Sequence, residues 1–307
     1  MNTLINPHFL ETEQQLGLPQ EAISALETAA GKLDACPRAR EKFDILLREH
    51  LFPQAHDFKT CFGNLKKLSM GCGIKAYTLN FVFLIAAAEI MHARYRERGL
   101  SDKLFWDTLM DLKYKHRECV DCKGIHGIFV PGWYQGFYAL RRFALGRYQY
   151  DMNTFDREDF TSAAGITVKT GDKVLGIHIP SSFVPLTDEV RMDSLKRAYA
   201  FFPEFRRPDG LMIFECSSWL LDPNYKTFLP STANTVRFID DFEITACTPC
   251  EKFTDAWRIF DRWGYLSPKN WPEDNSLRRA FKHHVLAGGK TSHGHGIIVF
   301  DGEKIVR

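Results

Sequence analysis

The chain has 307 residues, of which 45% are hydrophobic and 25% are charged, so it has the composition of a soluble globular protein with room for two domains. A formal net charge of +2 excludes the strong field that would indicate a nucleic acid or an anionic membrane as a partner. The first residues, MNTLINPHFLETEQQ, lack the basic start and apolar core of a secretory signal, which favours a cytoplasmic protein.

The N-terminal part of the chain has apolar residues at helical spacing and lacks alternating patterns. Helices are predicted over residues 18–33, 40–52 and 74–98, and the sequences LFWDTLMDLKYKHREC and GWYQGFYALRRFAL predict two more. The most apolar run, FVFLIAAA, is too short for a membrane span and predicts a buried helix. We therefore predict a helical N-terminal domain over residues 1–145.

The pattern changes period near residue 146, where short β-branched and aromatic segments begin. Strands are predicted in GRYQYD, GITVK, KVLGIHIP, TVRFIDDFEI and GIIVF, which glycine, aspartate or proline residues separate. Helices are predicted in TDEVRMDSLKRAYAFF, KFTDAWRIFDRW and SLRRAFKHHVLAGG, the first capped by Thr187 or Asp188 and the last by Asn275 or Ser276. These elements predict a mixed α/β domain over residues 146–307, so the fold class is α+β.

A central strand is predicted at residues 211–214, LMIF, because this apolar run has the length of a strand and follows a glycine. Ser217 or Ser218 can cap a helix that begins at Trp219. Strand, turn and helix together place Glu215 and Cys216 at the carboxyl end of a buried strand. Open α/β sheets bind their ligands at such strand ends.

Two pairs of cysteines raise the alternatives of a zinc site or a redox centre. The first pair lies in the order H-x2-C-x2-C-x3-H, and the second forms the segment CTPC. The residues concerned are His116, Cys119, Cys122, His126, Cys247 and Cys250. Such spacings recur by chance, and the first pair lies near the end of a predicted helix, so structural roles are favoured and no metal is expected.

Four segments of the second half of the chain resemble a known family. They are GRYQY, VLGIHIP followed by small polar residues and a helix, FECSSWLLDPNYKTFLP with NTVRF after it, and SLRRAFKHHVLAGGKTSHGHGIIVF. This pattern is similar to that of bacterial acyltransferase-domain proteins, which join a helical N-terminal domain to a GNAT-like C-terminal domain. The resemblance spans most of the chain and implies coenzyme A or acyl-CoA as a cosubstrate.

GNAT proteins hold the pyrophosphate of coenzyme A with backbone N–H groups between a central strand and the next helix. The resemblance places this loop at residues 180–185, PSSFVP. The candidate cofactor-binding residues are then Ser181, Ser182 and Phe183, with Cys216 and Ser217 on the neighbouring strand. The usual GNAT signature, Q/R-x-x-G-x-G/A, is absent, and the two acidic residues that begin the next helix would repel a phosphate.

Acyl transfer to an amine needs a base, a polarised thioester carbonyl and a proton for the leaving thiolate. We predict that Glu215 or His178 accepts the proton of the amine, that a backbone N–H beyond Cys216 polarises the carbonyl, and that Tyr225 protonates the thiolate. The two histidines of the segment SHGHG precede the last predicted strand and either reach the same cleft or lie in a turn.

The predicted function is that of an acyl-CoA-dependent, GNAT-like acyltransferase whose acceptor is a small-molecule or peptide amine. The alternative is a non-catalytic ligand-binding or sensing protein that retains the GNAT-like fold. The missing signature and the acidic start of the helix favour this alternative, and a measurement of coenzyme A binding distinguishes the two.

Overall fold

A computed structural model describes residues 3–50 and 58–307, and in it the chain divides into two units, residues 1–143 and 144–307. The first unit is built from helices, and the second is built around a mixed β-sheet. The predicted α+β class, with a helical N-terminal region before a mixed α/β region, is therefore confirmed. The predicted end of the second helix, at residues 51–53, lies outside the described residues.

The first unit is organised around one long helix. Its helices are α1 (Pro7–Leu16), α2 (Gln20–Asp34), α3 (Pro37–His50), α4 (Phe58–Gly71), α5 (Ala76–Glu97), α6 (Asp102–Leu109), α7 (Asp111–Lys123) and the single turn α8 (Gln135–Tyr138). Helices α1 to α4 and α6 all pack against α5, whose Phe81, Phe83 and Leu84 are fully buried. Among the residues described, no strand precedes Arg142, as the sequence predicts.

Helix α5 is also long and apolar enough to cross a membrane. The most apolar 18-residue stretch of this helix has a mean hydropathy of 1.4. However, 67% of that stretch is buried within the protein, as in the core helix of a soluble protein. The predicted buried helix is therefore the better description of this segment.

The second unit contains a sheet with the strand order β1-β2-β5-β6-β8-β7 and a separate hairpin of β3 and β4. The strands are β1 (Arg142–Leu145), β2 (Tyr148–Thr154), β3 (Phe160–Thr161), β4 (Thr167–Val168), β5 (Lys173–His178), β6 (Met212–Ser218), β7 (Glu243–Pro249) and β8 (Ser292–Phe300). The helices are α9 (Asp188–Phe201), α10 (Asn234–Asp240), the single turn α11 (Trp257–Phe260) and α12 (Ser276–Leu286). Strands β5 and β6 are parallel, and α9 connects them.

The two faces of the sheet are buried differently, because side chains alternate along each strand. On one face, Tyr150 and Phe214 pack with ring centroids 5.6 Å apart, and the Tyr150 hydroxyl lies 3.0 Å from Oγ of Ser194 on α9. On the other face, Ile213, Ile297 and their neighbours form an apolar cluster with residues of the β3–β4 hairpin. This second face also carries Glu215, two residues after Ile213.

Several elements differ from the sequence prediction. The segment GWYQGFYALRRFAL, predicted as one helix, forms a 3-10 turn and the single turn α8, and its last four residues are strand β1. The segment TVRFID, predicted as a strand, lies in helix α10, where Val236, Phe238 and Ile239 are buried and the two charged residues between and after them are exposed. The helix predicted after the central strand is instead two short 3-10 helices, although Ser218 does accept the N–H of Leu220, at 3.1 Å.

The predicted helix KFTDAWRIFDRW is reduced to the four residues of α11 and a following 3-10 turn. Asp261 has a φ angle of 52°, in the left-handed region, and this backbone conformation ends the α-helix. By contrast, Asn275 caps α12 as predicted, because its Oδ1 accepts the N–H of Arg278 at 2.9 Å.

Candidate functional site

The sheet opens between its two parallel strands. The pairing of β5 with β6 consists of Leu175 with Phe214 and Gly176 with Glu215. Each strand then runs on beside its other neighbour, β5 along β2 as far as His178 and β6 along β8 as far as Ser218. We call the space between residues 177–178 of β5 and 216–218 of β6 the strand gap. The backbone edges that face this gap lie outside the β5–β6 pairing.

His178 lies at the edge of the strand gap and is paired with a carboxylate. Its Nε2 is 2.9 Å from Oδ2 of Asp151 on β2, and 29% of the imidazole is exposed. Asp151 is opposite Gly176 in the sheet, on the same face as His178. With a proton on Nε2, the imidazole donates to Asp151, and Nδ1 is the nitrogen that can accept a proton. His178 was predicted, whereas Asp151 was not.

Glu215 lies in a chain of four polar side chains, which we call the polar row: Asn153, Glu215, His295 and Thr245. Asn153 donates from Nδ2 to Oε1 of Glu215 at 2.9 Å, and Oε2 lies 3.3 Å from Nε2 of His295. The other ring nitrogen of His295 is 2.5 Å from the Thr245 hydroxyl. The exposed fractions of the Glu215 and His295 side chains are 13% and 4%.

The hydrogen bonds of the polar row lower the pKa of Glu215. Burial alone would raise the pKa of this carboxyl. Hydrogen bonds from His295 and Asn153, together with the charge of Arg157, outweigh burial and hold the pKa below its usual range. Glu215 is therefore an ionised carboxylate at neutral pH, and a lowered pKa makes it a weaker base.

Gly176 makes room for the polar row. A Cβ atom at this position would lie 2.6 Å from Nδ2 of Asn153 and 3.5 Å from Cβ of Asp151. Because glycine has no Cβ, the Asn153 side chain passes over β5 and reaches Glu215 on β6. The glycine is thus required by a close side-chain approach and not by the backbone angle.

The predicted pyrophosphate loop follows β5 and is braced by an arginine. Arg147 donates from Nε to the carbonyl of Val184 and from Nη1 to that of Pro180, both at 2.9 Å. Within the loop, the Ser182 N–H donates to the carbonyl of Pro180 at 2.8 Å, so this predicted donor already has a partner. Ser181 is exposed, and the Phe183 side chain is 58% exposed.

The acidic start of α9 is neutralised by two arginines. Asp188 pairs with Arg191 at 2.9 Å and with Arg237 at 2.6 Å. A slight desolvation of Asp188 is outweighed by these two cations, which keep its pKa below the usual value. The repulsion of a phosphate by Asp188 is therefore smaller than the sequence suggests. Thr187 occupies the N-cap position without a side-chain capping bond.

Cys216 and Ser217 lie on opposite faces of β6. Cys216 is 2% exposed on the face opposite Glu215, and its burial raises the pKa of the thiol far above the usual value. A buried, protonated thiol is not a nucleophile. Ser217 is exposed, is opposite His295 in the β6–β8 pairing and borders the strand gap.

Tyr225 lies away from the polar row, in an aromatic cluster. Its ring packs against Phe281 and Phe228, with centroids 4.8 and 5.6 Å away, and the residue is fully buried. The hydroxyl is enclosed without a hydrogen-bond partner, and burial raises its pKa well above the usual value. This placement favours a packing role and gives no support to the predicted role as a proton donor.

In the described part of the chain, the cysteine pairs do not form a metal site with the histidines near them. Cys119 and Cys122 are buried, whereas Cys247 is exposed. His116 and His126 pair with each other at 3.0 Å. Within residues 3–50 and 58–307, no three His, Cys, Asp or Glu side chains are grouped so that they could hold a metal ion.

Family models match almost the whole chain. Residues 9–140 match the N-acyltransferase N-terminal domain, and residues 142–298 match the GNAT-like C-terminal domain. No curated protein matches the chain.

Solved structures of acyltransferases are similar to the chain in fold. An acyltransferase in complex with decanoyl-CoA and teicoplanin is 22% identical, with 94% of this chain and 86% of that one covered and a TM-score of 0.72. An acyltransferase in complex with CoA and 10C-teicoplanin is 20% identical, with coverages of 96% and 88% and a TM-score of 0.74. At these identities the similarity establishes the fold.

Proposed function

Because the chain belongs to the N-acyltransferase family with a GNAT-like C-terminal domain, we propose that it transfers an acyl group from acyl-CoA to an amine. The main support for this proposal is the strand gap, because it is an opening between parallel strands with a histidine–carboxylate pair at its edge. A thioester in the gap would lie between strand edges that are outside the β5–β6 pairing. The predicted use of coenzyme A or acyl-CoA as cosubstrate is part of this proposal.

In the proposed reaction, the amine nitrogen attacks the thioester carbon, so that a C–N bond forms and the C–S bond breaks. Nδ1 of His178 accepts the proton of the amine, and Asp151 stabilises the resulting imidazolium. Backbone N–H groups that face the gap stabilise the negative charge on the carbonyl oxygen. The proton can then pass from His178 to the leaving thiolate, so no separate acid is required.

His178 is a better proton acceptor than Glu215 for two reasons. It is the more exposed of the two, at 29% against 13%, and it lies where the strands separate. Both oxygens of Glu215 already accept hydrogen bonds, and its pKa is lowered. A base works best when its pKa is near the working pH. The lowered pKa of Glu215 lies far below neutral pH.

The acceptor that we propose is an amine on a small molecule or a peptide. A solved acyltransferase of the same fold holds both an acyl-CoA and teicoplanin, which supports a small-molecule acceptor. The nearly balanced charge of the chain gives no support to a nucleic acid as partner. We place the reaction in the cytoplasm.

Titration with coenzyme A and a series of acyl-CoAs, followed by assays of thioester cleavage with amines, tests the proposal. We expect His178→Gln to bind acyl-CoA normally and to lose about a hundredfold in kcat. His293→Gln is the matched control, because this exposed histidine on β8 lies outside the polar row. Absence of coenzyme A binding, or full activity of His178→Gln, would contradict the proposal.

The second candidate is a sensing protein, and the Ser182 N–H favours it, because this predicted phosphate donor already has a partner within the loop. Such a protein would bind a ligand in the strand gap without turning it over. Tight binding of acyl-CoA, with no cleavage in the presence of any amine tested, would support this candidate over the enzyme.

A further inference from the structure

We infer that the polar row is a positioning device that sets how far the strand gap opens, with Glu215 acting as its centre. This inference rests on the proposed function, since it concerns the same gap. Glu215 would thus influence the reaction through the spacing of the strands, while His178 handles the proton.

The polar row crosses the sheet at the point where β5 and β6 stop pairing. Asn153 belongs to β2, on the His178 side of the gap, and Glu215 belongs to β6, on the other side. Their hydrogen bond of 2.9 Å passes over Gly176, which is also the last residue of β5 that pairs with β6. A side-chain bond therefore joins the two halves of the sheet where their backbone pairing ends.

The other half of the row, on β7 and β8, is closely packed. His295 is 4% exposed, and strand β7 has a register shift between Ile244 and Ala246 that sets Thr245 apart in a bulge. The bulge directs the Thr245 hydroxyl to His295. A Cβ at Gly296 would lie 2.9 Å from Cβ of Phe242, and a Cβ at Gly294 would lie 2.1 Å from the carbonyl oxygen of Leu221. The backbone of β8 is therefore in close contact with its surroundings on either side of His295.

His178 lies two residues beyond Gly176 on β5, and Ser217 lies two residues beyond Glu215 on β6, on the same face. Loss of the bond between Asn153 and Glu215 would let the strands move apart at the base of the gap. The distance from the imidazole to a thioester carbonyl would then change, and a misplacement of about 1 Å costs roughly a hundredfold in rate.

Three variants test the inference. Glu215→Gln keeps the row, because the amide oxygen can accept from Asn153 and the amide nitrogen can donate to His295 in its other tautomer. Glu215→Ala removes the centre of the row. Gly176→Ala changes none of the four residues of the row, but its added Cβ would displace the Asn153 side chain. Gly31→Ala is the matched control, because nothing lies within 4 Å of the Cβ it would add.

We expect Glu215→Ala and Gly176→Ala to lower kcat at least about tenfold, with the Kd for coenzyme A within about twofold of the parent. Glu215→Gln should keep kcat within about threefold of the parent. If Glu215→Gln is as inactive as Glu215→Ala, Glu215 is itself the proton acceptor and the inference is wrong. Parental kcat in Gly176→Ala would also overturn it.

A spectroscopic measurement separates this inference from the proposed function. The ¹⁵N chemical shifts of His295 report its tautomer, which we expect to have the proton on Nε2 in the parent and on Nδ1 in Glu215→Gln. In Gly176→Ala, the signals of His178 should also shift. If the parent cleaves no acyl-CoA, the proposed function fails while these spectra still test the row. Unchanged spectra in both variants would mean that the row does not exist in solution.

Discussion

Arg191 and Asp241 form an ion pair in which Nε and Oδ2 are 2.6 Å apart and only 3% of the arginine side chain is exposed. The same guanidinium donates to the carbonyl of Leu186 at 2.8 Å and pairs with Asp188. One buried arginine thus joins α9, the loop before it and the residue that follows α10. Burial raises the pKa of Asp241, although the nearby arginine opposes this.

We expect Arg191→Met to destabilise the protein by about 3 kcal/mol, because it removes the buried partner of the partly buried Asp241 carboxylate and leaves it only the exposed Arg307, at 4.0 Å. Urea unfolding measures this change. Arg197→Met on the same helix is the control, since its pair with Asp193 has both side chains 52% exposed and should cost less than about 1 kcal/mol. Equal losses in the two variants would contradict the prediction.

The buried carboxyl of Glu13 should make the stability of the protein depend on pH. The residue is 3% exposed, its Oε1 has no hydrogen-bond partner, and burial, with a smaller contribution from Glu27, raises its pKa from 4.5 to about 7. Between these two values the folded protein keeps a proton that the unfolded chain releases. The free energy of unfolding should therefore fall by roughly 2 to 3 kcal/mol as the pH rises from 4.5 to 7, and stay level above it.

The free energy of unfolding of the parent and of Glu13→Gln, measured at pH 5 and pH 8, tests whether stability falls as the pH rises. The variant cannot ionise at position 13, so its stability should change less between the two pH values. Glu11→Gln, an exposed position on the same helix, should keep the parental profile. A parental profile in Glu13→Gln would show that another group carries the effect.

Tyr225→Phe should leave turnover unchanged, because the hydroxyl is buried within an aromatic cluster. An enclosed hydroxyl without a partner costs about 1 to 3 kcal/mol, so its removal should keep or raise the stability. Steady-state kinetics and thermal unfolding measure the two effects. A loss of about a hundredfold in kcat, with unchanged affinity, would restore the predicted role as a proton donor.

Ser182→Asp tests the loop after β5 as the phosphate site. A fixed negative charge next to the pyrophosphate should weaken coenzyme A binding by about a hundredfold or more. Binding of pantetheine, which lacks the phosphates, should be unaffected and serves as the control. Parental affinity for coenzyme A in this variant would place the phosphates elsewhere.

Local patterns in the sequence predict much of the fold. Capped helices such as α12 are recognisable because Asn275 precedes an amphipathic segment, and the predicted family is confirmed by matches over both domains. Helix α10 was mistaken for a strand because its β-branched residues favour strands, while its actual state depends on packing against α9 and the turns after β6.

The candidate site shows where local patterns stop being informative. Glu215 and His178 were predicted because the sequence places both at strand ends. His178 does end β5, whereas β6 runs on to Ser218, so Glu215 lies in the middle of its strand. Their partners are far away in the chain: Asn153 is 62 residues from Glu215, and His295 is 80 residues from it. The order of strands β2, β5, β6 and β8 brings them together, and no short-range signal in the sequence specifies that order.

The strand order also has a consequence for folding. Strand β8 comes last in the chain, yet it lies between β6 and β7, both of which are made earlier. Until residues 292–300 arrive, β6 lacks one neighbour and β7 has no strand of the sheet to pair with. Pairings of high sequence separation form slowly, and exposed strand edges favour aggregation in the meantime. The second unit should therefore be most prone to aggregation before its final strand inserts.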